Sequence, residues 1–221
     1  MIRPLLITAG ATRNFIDDMR CITANASGKT GSKLAQSFPT QCTLLGSPSA
    51  LLHLAVSTKT DIAAHPIIQT QEFTSTKDLH QKMKHWVLQN KNGIIIHSAA
   101  VGDYTPQEQS GKIPSGQREL ILTLYPTIKI LDEIKTWSPS CLLVSFKAAP
   151  PKTPPKELTS IAAKQRQRSQ SDLVFANVLT QTGHNIQIIS QDNTLHFTKR
   201  DDGLKYLIDW VDQQRAINLD A

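Results

Sequence analysis

The turns with the clearest chemical potential in this sequence are suited to binding anions. Residues 8–13 read Thr-Ala-Gly-Ala-Thr-Arg, and residues 25–31 read Asn-Ala-Ser-Gly-Lys-Thr-Gly. Small residues such as Gly10 and Gly28 let backbone N–H groups approach a ligand closely, and a helix that begins after Gly28 adds the positive end of its dipole. Each segment is also typical of an ordinary strand–helix turn or a helix cap, so both interpretations stay open.

Two common nucleotide-binding motifs are missing from these turns. A phosphate-binding loop requires a glycine five residues before Gly28, and the sequence has Thr23 there. A dinucleotide-binding turn requires the pattern Gly-x-Gly-x-x-Gly, which residues 10–13 do not supply. An oxidoreductase that uses a nicotinamide or flavin cofactor is therefore the least favoured alternative.

Charged residues follow other predicted elements. Asp103 comes shortly after an apolar run and could bind a sugar hydroxyl or a magnesium ion, or simply cap a turn. Lys112 lies in a loop rich in glycine, serine and proline, where it could close over a phosphate or remain solvated. Lys164 and Arg168 are four residues apart and share one helix face, which could equally be a solvated surface.

The hydrophobic pattern predicts the elements that position these residues. Continuous apolar runs, typical of buried parallel strands, occupy residues 5–8, 93–97 and 142–146, with further strands at 42–45 and 173–176. Helices are predicted between them, at residues 32–37, 76–88, 128–134 and 156–168. An antiparallel hairpin follows at 185–198, and a last helix at 203–216. We therefore predict one α/β domain over residues 1–221, with a Rossmann-like, mostly parallel sheet and a C-terminal hairpin.

Charge, apolar content and cysteine spacing limit the classes of binding partner and the cellular compartment. The net charge of +6 and the pI of 9.3 suit a small polyanionic substrate. The basic cluster at residues 164–168 has no interleaved aromatic residue, so we do not expect nucleic acid binding. No apolar run is long enough for a membrane span, and we expect no secretory signal. The three cysteines are widely spaced, which argues against disulfides or a zinc site and favours the cytoplasm.

Taken in order along the chain, these segments resemble the phosphopantothenoylcysteine synthetase family, also called phosphopantothenate–cysteine ligases. The resemblance covers residues 8–13, 16–20, 27–31, 99–104, 112–113, the strand ending at 146, residues 171–177 and the hairpin. In bacteria this domain is commonly the C-terminal half of a bifunctional flavoprotein. The flavin-binding half has no expected counterpart here, so a separate flavin-dependent decarboxylase is an expected partner.

The resemblance implies a homodimer that joins 4′-phosphopantothenate to L-cysteine in coenzyme A biosynthesis. In the family, the substrate carboxylate attacks the α-phosphorus of CTP, or of ATP in eukaryotes, and cysteine then displaces the nucleotide from the acyl-nucleotide intermediate. CTP and Mg²⁺ are therefore the expected co-substrate and ion. The ion bridges phosphate oxygens, and we predict no metal site made by protein side chains alone.

The resemblance also assigns roles to individual residues. The nucleotide-binding set, in which the last two require a one-residue shift in register, is Asp103, Lys112, Phe146, Lys164 and Arg168. The substrate-binding set is Gly10, Ser27, Gly28, Ala99 and Asn177. The catalytic pair is Asn25 and Lys112, since Lys112 is the expected mobile phosphate-binding lysine.

Several polar positions depart from the family pattern. The family asparagine that helps to hold the acyl-nucleotide matches Ala24, and Asn25 stands one place later. The family's Pro-Asp pair is Ile128-Lys129, and its Ala-Asn-Asp ends in Val178. The basic run after residue 113 and the Ala-Ala-Glu-Thr run at residues 147–150 are also replaced. The alternative prediction is a catalytically impaired homologue that binds nucleotide.

Overall fold

The computed structural model describes residues 2–58 and 67–216. The strands are β1 (Leu5–Ala9), β2 (Arg13–Phe15), β3 (Cys21–Thr23), β4 (Cys42–Gly46), β5 (Ile68–Glu72), β6 (Ile94–His97), β7 (Tyr104–Pro106), β8 (Leu124–Pro126), β9 (Leu142–Ala149), β10 (Leu173–Val178), β11 (His184–Ile189) and β12 (Thr194–Lys199). The helices are α1 (Lys29–Ser37), α2 (Pro48–Thr58), α3 (Thr76–Gln89), α4 (Ile130–Trp137), α5 (Pro155–Ser169) and α6 (Arg200–Ala216).

Eight strands form the central sheet, in the order β12-β11-β10-β9-β6-β1-β4-β5. The six from β10 to β5 run parallel, and β11 and β12 are antiparallel. This confirms the predicted sheet and its C-terminal hairpin. Because β1 pairs with both β4 and β6, the chain leaves β1 in one direction and returns on its other side. Ligand sites in such sheets form at the carboxyl ends of the strands where this reversal occurs.

Helices cover both faces of the sheet, which explains why its central strands are continuously apolar. On one face α1, α2 and α6 bury apolar side chains such as Leu34 and Leu207 against β1, β4 and β10. On the other face α3 and α4 pack against β1, β6 and β9 through side chains such as Leu79 and Ile130. Helix α5 packs beside them on β9 and β10. In the described residues, no helix is both long and apolar enough to cross a bilayer.

Element boundaries differ from the predictions where local chemistry overrides the pattern. Helix α1 begins at Lys29 rather than 32, and Gly31 lies so close to β1 that a Cβ there would sit 2.5 Å from the Ala9 Cβ. Helix α5 begins at Pro155, because proline is tolerated in the first turn of a helix. Helix α4 starts two residues later than predicted, at Ile130, and α6 starts three residues earlier, at Arg200.

Five strands and one helix of the structure are absent from the sequence prediction: β2, β3, β5, β7, β8 and α2. The ribbons β2–β3 and β7–β8 have strands of three residues each, too short for a periodic pattern. Strand β5 is the sheet edge and is mostly exposed, so it lacks the apolar run of a central strand. Helix α2 is apolar on more than one side, which hides its helical period.

Candidate functional site

Two glycines interlock at the carboxyl end of β1. Gly10 and Gly28 have φ values of +90° and +83°, in the left-handed region that favours glycine. A Cβ at Gly28 would lie 2.8 Å from the Gly10 nitrogen and 2.4 Å from the Ala50 Cβ. A Cβ at Gly10 would meet the Ser47 Oγ at 1.9 Å. The turn after β1 and the start of α1 therefore contact each other through backbone. This packing accounts for both glycines, and neither of them lines the two cavities described below.

The segment after β6 continues directly beside this turn. Ala11 and Ala100 form a parallel bridge, the Ala100 N–H donates to the Gly10 carbonyl (2.8 Å), and the Thr12 N–H donates to the Ala100 carbonyl (3.1 Å). These bonds bring the exits of β1 and β6 together. Ala99 and Asp103 thus lie at the same edge of the sheet as Gly10 and Gly28.

A buried polar network fixes the backbone around Asp103. The Gly102 N–H donates to the Thr12 Oγ1 (2.9 Å), and the Asn14 amide donates to the Tyr104 carbonyl (2.7 Å). The Thr76 hydroxyl donates to the Asn14 Oδ1 (2.9 Å) and joins the network to α3. Sequence reasoning did not identify these positioning side chains, because their partners are some 60–90 residues away along the chain.

A cavity of about 490 Å³ opens where β6 and β9 end, and we call it the β6–β9 cavity. Five residues of the predicted site line it, and the structure thus brings them together: Ala99, Asp103, Phe146, Lys164 and Arg168. Helix α5 supplies the last two from one face, as their four-residue spacing predicts.

The lining of the β6–β9 cavity is strongly cationic. It carries one carboxylate, Asp103, and four cationic side chains: Lys129, Lys147, Lys164 and Arg168. Lys129 forms an ion pair with Asp103, and Arg168 pairs with Asp132 at 2.9 Å. The remaining positive charge suits a polyanion such as a triphosphate.

Phe146 contributes to the cavity while its ring packs elsewhere. The ring stacks on Phe175, with centroids 4.8 Å apart, and belongs to the apolar cluster on the α1 and α6 side. Side chains alternate along a strand, so Lys147 faces the α5 side instead. The Phe146 carbonyl accepts a hydrogen bond from the Gln165 amide (3.2 Å), which ties this strand end to α5.

His97 also lines the β6–β9 cavity and was missed by sequence reasoning. The ring is 6% exposed, and burial lowers the pKa of His97 to about 4, so the ring is neutral at pH 7. Its Nδ1 lies 2.9 Å from the Thr8 Oγ1, which also accepts the Ala99 N–H (3.2 Å). This arrangement favours a hydroxyl donating to Nδ1 and leaves Nε2–H as the donor available to a ligand. The sequence feature that could have identified His97 is its position directly after three isoleucines, at the end of a buried strand.

Asn25 and Ser27 lie at a second, smaller cavity of about 210 Å³, which we call the Asn25 cavity. Both residues are exposed and line it together with Arg13, and Ala24 lines it as well. Asn25 therefore stands beside the position where the family has its asparagine. It does not line the β6–β9 cavity.

Lys112 is exposed and lines neither of these cavities. The backbone on both sides of it is tied to the turn between β2 and β3. The Gly111 N–H donates to the Asp18 Oδ2 (3.1 Å), and the Ile113 N–H donates to the Asp17 Oδ2 (2.9 Å). These bonds hold the backbone of Gly111 and Ile113 against the β2–β3 turn, and the closure of Lys112 over a phosphate stays a prediction.

Asp17 is the centre of this anchor. Its side chain is fully buried, and the Arg20 guanidinium together with the Ile113 N–H holds the pKa of its carboxyl well below the usual range. The Arg20 guanidinium also donates to the Ile113 carbonyl (2.9 Å). The motif at residues 16–20 therefore positions the loop that carries Lys112.

Asn177 is not brought to either cavity. It is buried in β10, and its amide donates to the Val178 carbonyl (3.2 Å). Alternation along β10 sets it on the same side as Phe175, away from α5. In the part of the chain that the structure describes, no three histidine, cysteine or acidic side chains cluster as a metal site.

Comparison with known proteins identifies the family. Residues 2–215 match the family model of the DNA/pantothenate metabolism flavoprotein C-terminal domain. The chain belongs to this family. It is 34% identical over 199 residues to the coenzyme A biosynthesis bifunctional protein CoaBC of Thermococcus kodakarensis, covering 89% of this chain and 45% of that protein. The CoaBC of Methanocaldococcus jannaschii is 29% identical over 176 residues, covering 80% and 40%. The chain thus spans less than half the length of these relatives.

Solved structures agree with the family assignment. The DNA/pantothenate metabolism flavoprotein from Streptococcus pneumoniae superposes with a TM-score of 0.80 and 26% identity, covering 96% of this chain and 99% of that one. A Cab2 mutant in complex with phosphopantothenate-cysteine gives a TM-score of 0.75 at 17% identity, covering 96% and 87%. At that identity the likeness shows the shared fold. The family predicted from the sequence motifs is confirmed.

Proposed function

We propose that the protein is a phosphopantothenate–cysteine ligase of coenzyme A biosynthesis, with CTP as its nucleotide. The observation that carries the proposal is the convergence of Ala99, Asp103, Phe146, Lys164 and Arg168 on one cationic cavity, in a chain of this family. The relatives named as coenzyme A biosynthesis proteins support the pathway.

The reaction needs a carboxylate to attack a phosphorus and an amine to attack an acyl carbon. In the first step the carboxylate of phosphopantothenate bonds to the α-phosphorus of CTP, and pyrophosphate leaves. In the second step the cysteine amine bonds to the acyl carbon, loses a proton, and CMP leaves. Catalysis of this kind rests on positioning and on cations placed where charge develops.

The β6–β9 cavity supplies those cations. Lys147, Lys164 and Arg168 would contact the triphosphate, and Lys112, which lines neither cavity, would reach it by closure of its loop. The one carboxylate of the lining, Asp103, is paired with Lys129, so the residues fit a magnesium ion carried by the phosphates rather than a metal site of protein ligands. Mg²⁺ would neutralise charge on the phosphate oxygens.

The choice of CTP rests on the family resemblance. His97 adds a neutral Nε2–H donor to the cavity lining, which would pair with an acceptor on the nucleotide. The Asn25 cavity would receive the phosphopantothenate portion, with Ser27 offering its hydroxyl group, while the interlocked Gly10 and Gly28 would hold the neighbouring turn in place. Asn25 would then take the place of the family asparagine on the acyl-nucleotide, and Asn25→Ala should slow consumption of that intermediate rather than its formation.

A second candidate is a homologue that binds nucleotide without turnover. Two observations favour it: Ala24 stands at the family asparagine position, and Lys129 stands at a family aspartate position, where it neutralises Asp103. A donor lost from such a site costs on the order of 10²–10³ in rate.

The two candidates separate in one assay. Purified protein is mixed with phosphopantothenate, cysteine, Mg²⁺ and each of the four nucleoside triphosphates in turn. A ligase releases pyrophosphate only when phosphopantothenate is present, and most rapidly with CTP. Binding of CTP by calorimetry, without pyrophosphate release in any mixture, would instead support the second candidate.

The proposal extends to the surroundings of the enzyme. We propose that residues 1–221 act as a single ligase domain, in the cytoplasm and as a homodimer, and that a flavin-dependent decarboxylase consumes the product. The exposed apolar side chains of the β7–β8 ribbon, Tyr104 and Tyr125 among them, support a second copy as their partner. Light scattering that gives the monomer mass of 24.4 kDa at every micromolar concentration would exclude the homodimer.

A further inference from the structure

A larger cavity, of about 820 Å³, opens at the other edge of the sheet, where β1 and β4 begin. Its wall is formed by the residues at the start of β1 and β4 and just before them, by residues 69–71 of β5, by α3 and by the last turn of α6. We call it the Arg3–Arg215 cavity after two of its lining residues. The β6–β9 cavity lies at the carboxyl ends of the strands, so the two share no lining residue.

Buried polar atoms without a protein partner are concentrated in this cavity. The described residues contain six such side-chain atoms, and five of them belong to three residues of its lining: Nε and Nη1 of Arg3, Nε and Nη1 of Arg215, and Oγ1 of Thr40. Arg215 is only 5% exposed, and its Nη2 donates to the Gln41 carbonyl (2.7 Å). Unpaired buried donors are rare in native proteins because each is costly, so their concentration sets the wall of this cavity apart from the rest of the described residues.

The charge of the cavity defines the ligand. Its lining holds Arg3, Arg215, Lys82 and His85, and no carboxylate. Lys82 is already paired with Asp78 (2.8 Å), which leaves the two guanidinium groups as the donors in need of acceptors. Each guanidinium presents a planar fork that matches a phosphate or a carboxylate.

The two arginines are held together by the fold. Arg3 precedes β1 and Arg215 lies in the last turn of α6, and the Arg3 N–H donates to the Arg215 carbonyl (3.4 Å). The cavity is far larger than one phosphate group, and Pro4, Leu5 and Trp86 give it apolar wall. We infer that the Arg3–Arg215 cavity binds a small organic phosphate, whose phosphate group is held by the two guanidinium groups and whose organic part lies along that wall. This site is independent of the ligase proposal.

Phenyl phosphate is a suitable probe, and the arginine Nε–H signals in ¹H–¹⁵N spectra report where it binds. The Arg3 and Arg215 signals are assigned by their loss in Arg3→Gln and Arg215→Gln. We expect phenyl phosphate to shift both signals in the wild-type protein and to raise its thermal unfolding midpoint. In Arg3→Gln, at least ten times more phenyl phosphate should be needed to produce the same midpoint shift. The exposed control Arg118→Gln should respond to phenyl phosphate as the wild-type protein does.

Two results would overturn the inference. One is a titration in which the Arg3 and Arg215 signals do not move, whatever happens to the unfolding midpoint. The other is a midpoint shift that persists in Arg3→Gln and is competed away by CTP, which would assign the anion to the β6–β9 cavity. Where Arg215→Gln does not fold, the Arg3 signal, assigned from Arg3→Gln, decides the test by itself.

Discussion

Replacing His97 with asparagine removes a titratable ring from the base of the β6–β9 cavity and keeps an amide beside the Thr8 hydroxyl. Burial lowers the pKa of His97 from 6.5 to about 4. The unfolded chain therefore takes up this proton first as the pH falls, and the folded protein follows only near pH 4. Below pH 6.5 the proton uptake stabilises the unfolded state. The free energy of unfolding therefore decreases as the pH is lowered from 6.5 to about 4.

The size of the effect follows from the pKa difference. Each pKa unit corresponds to about 1.4 kcal/mol, so the wild-type protein should lose about 3 kcal/mol more than His97→Asn between pH 7.5 and pH 4. Urea unfolding at half-unit pH steps measures this difference, and other titrating groups cancel in the comparison. His196→Asn, which removes an exposed histidine on β12, is the matched control and should follow the wild-type profile. Parallel wild-type and His97→Asn profiles would refute the neutral buried imidazole.

Three further predictions concern the site and its turns. Lys164→Gln should weaken CTP binding roughly 10- to 100-fold in calorimetry, since it removes a charge-assisted contact, and Lys156→Gln on an exposed face of the same helix should not. Lys112→Gln should lower the rate of pyrophosphate release by roughly 10²–10³, measured in a coupled assay, and an unchanged rate would remove Lys112 from the mechanism. Gly28→Ala should lower the free energy of unfolding in urea by about 2–4 kcal/mol, because the strain of a left-handed backbone adds to a clash of the new Cβ with the Ala50 Cβ at 2.4 Å. The control Gly116→Ala introduces similar backbone strain into open space and should lower it by less.

The sheet was predictable because its central strands carry their signal locally. A strand covered on both faces is a continuous apolar run, and residues 5–8, 93–97 and 142–146 show it. The edge strand β5 has one apolar residue in five and gains its place only by pairing with β4, which no local pattern encodes. The short ribbons are likewise defined by their partners.

The candidate site was predictable to the extent that its residues follow strand ends. Asp103 and the turn at Gly10 meet because β1 and β6 are parallel neighbours. The ion pair of Lys129 with Asp103 joins residues 26 apart along the chain, and only the fold brings them together. The place of His97 in the cavity lining likewise could not be predicted from the sequence, because its burial and its hydrogen bond with Thr8 depend on the pairing of β1 with β6.

The transfer of oxygen from substrate to nucleotide tests the proposed ligase most directly. Phosphopantothenate labelled with ¹⁸O in its carboxylate is incubated with the protein, CTP, Mg²⁺ and cysteine, and the CMP is analysed by mass spectrometry. Attack of the carboxylate on the α-phosphorus predicts one ¹⁸O atom in each CMP formed, because that oxygen stays on phosphorus when the amine takes the acyl group. Unlabelled CMP, or no CMP above a control without protein, would contradict the proposed reaction.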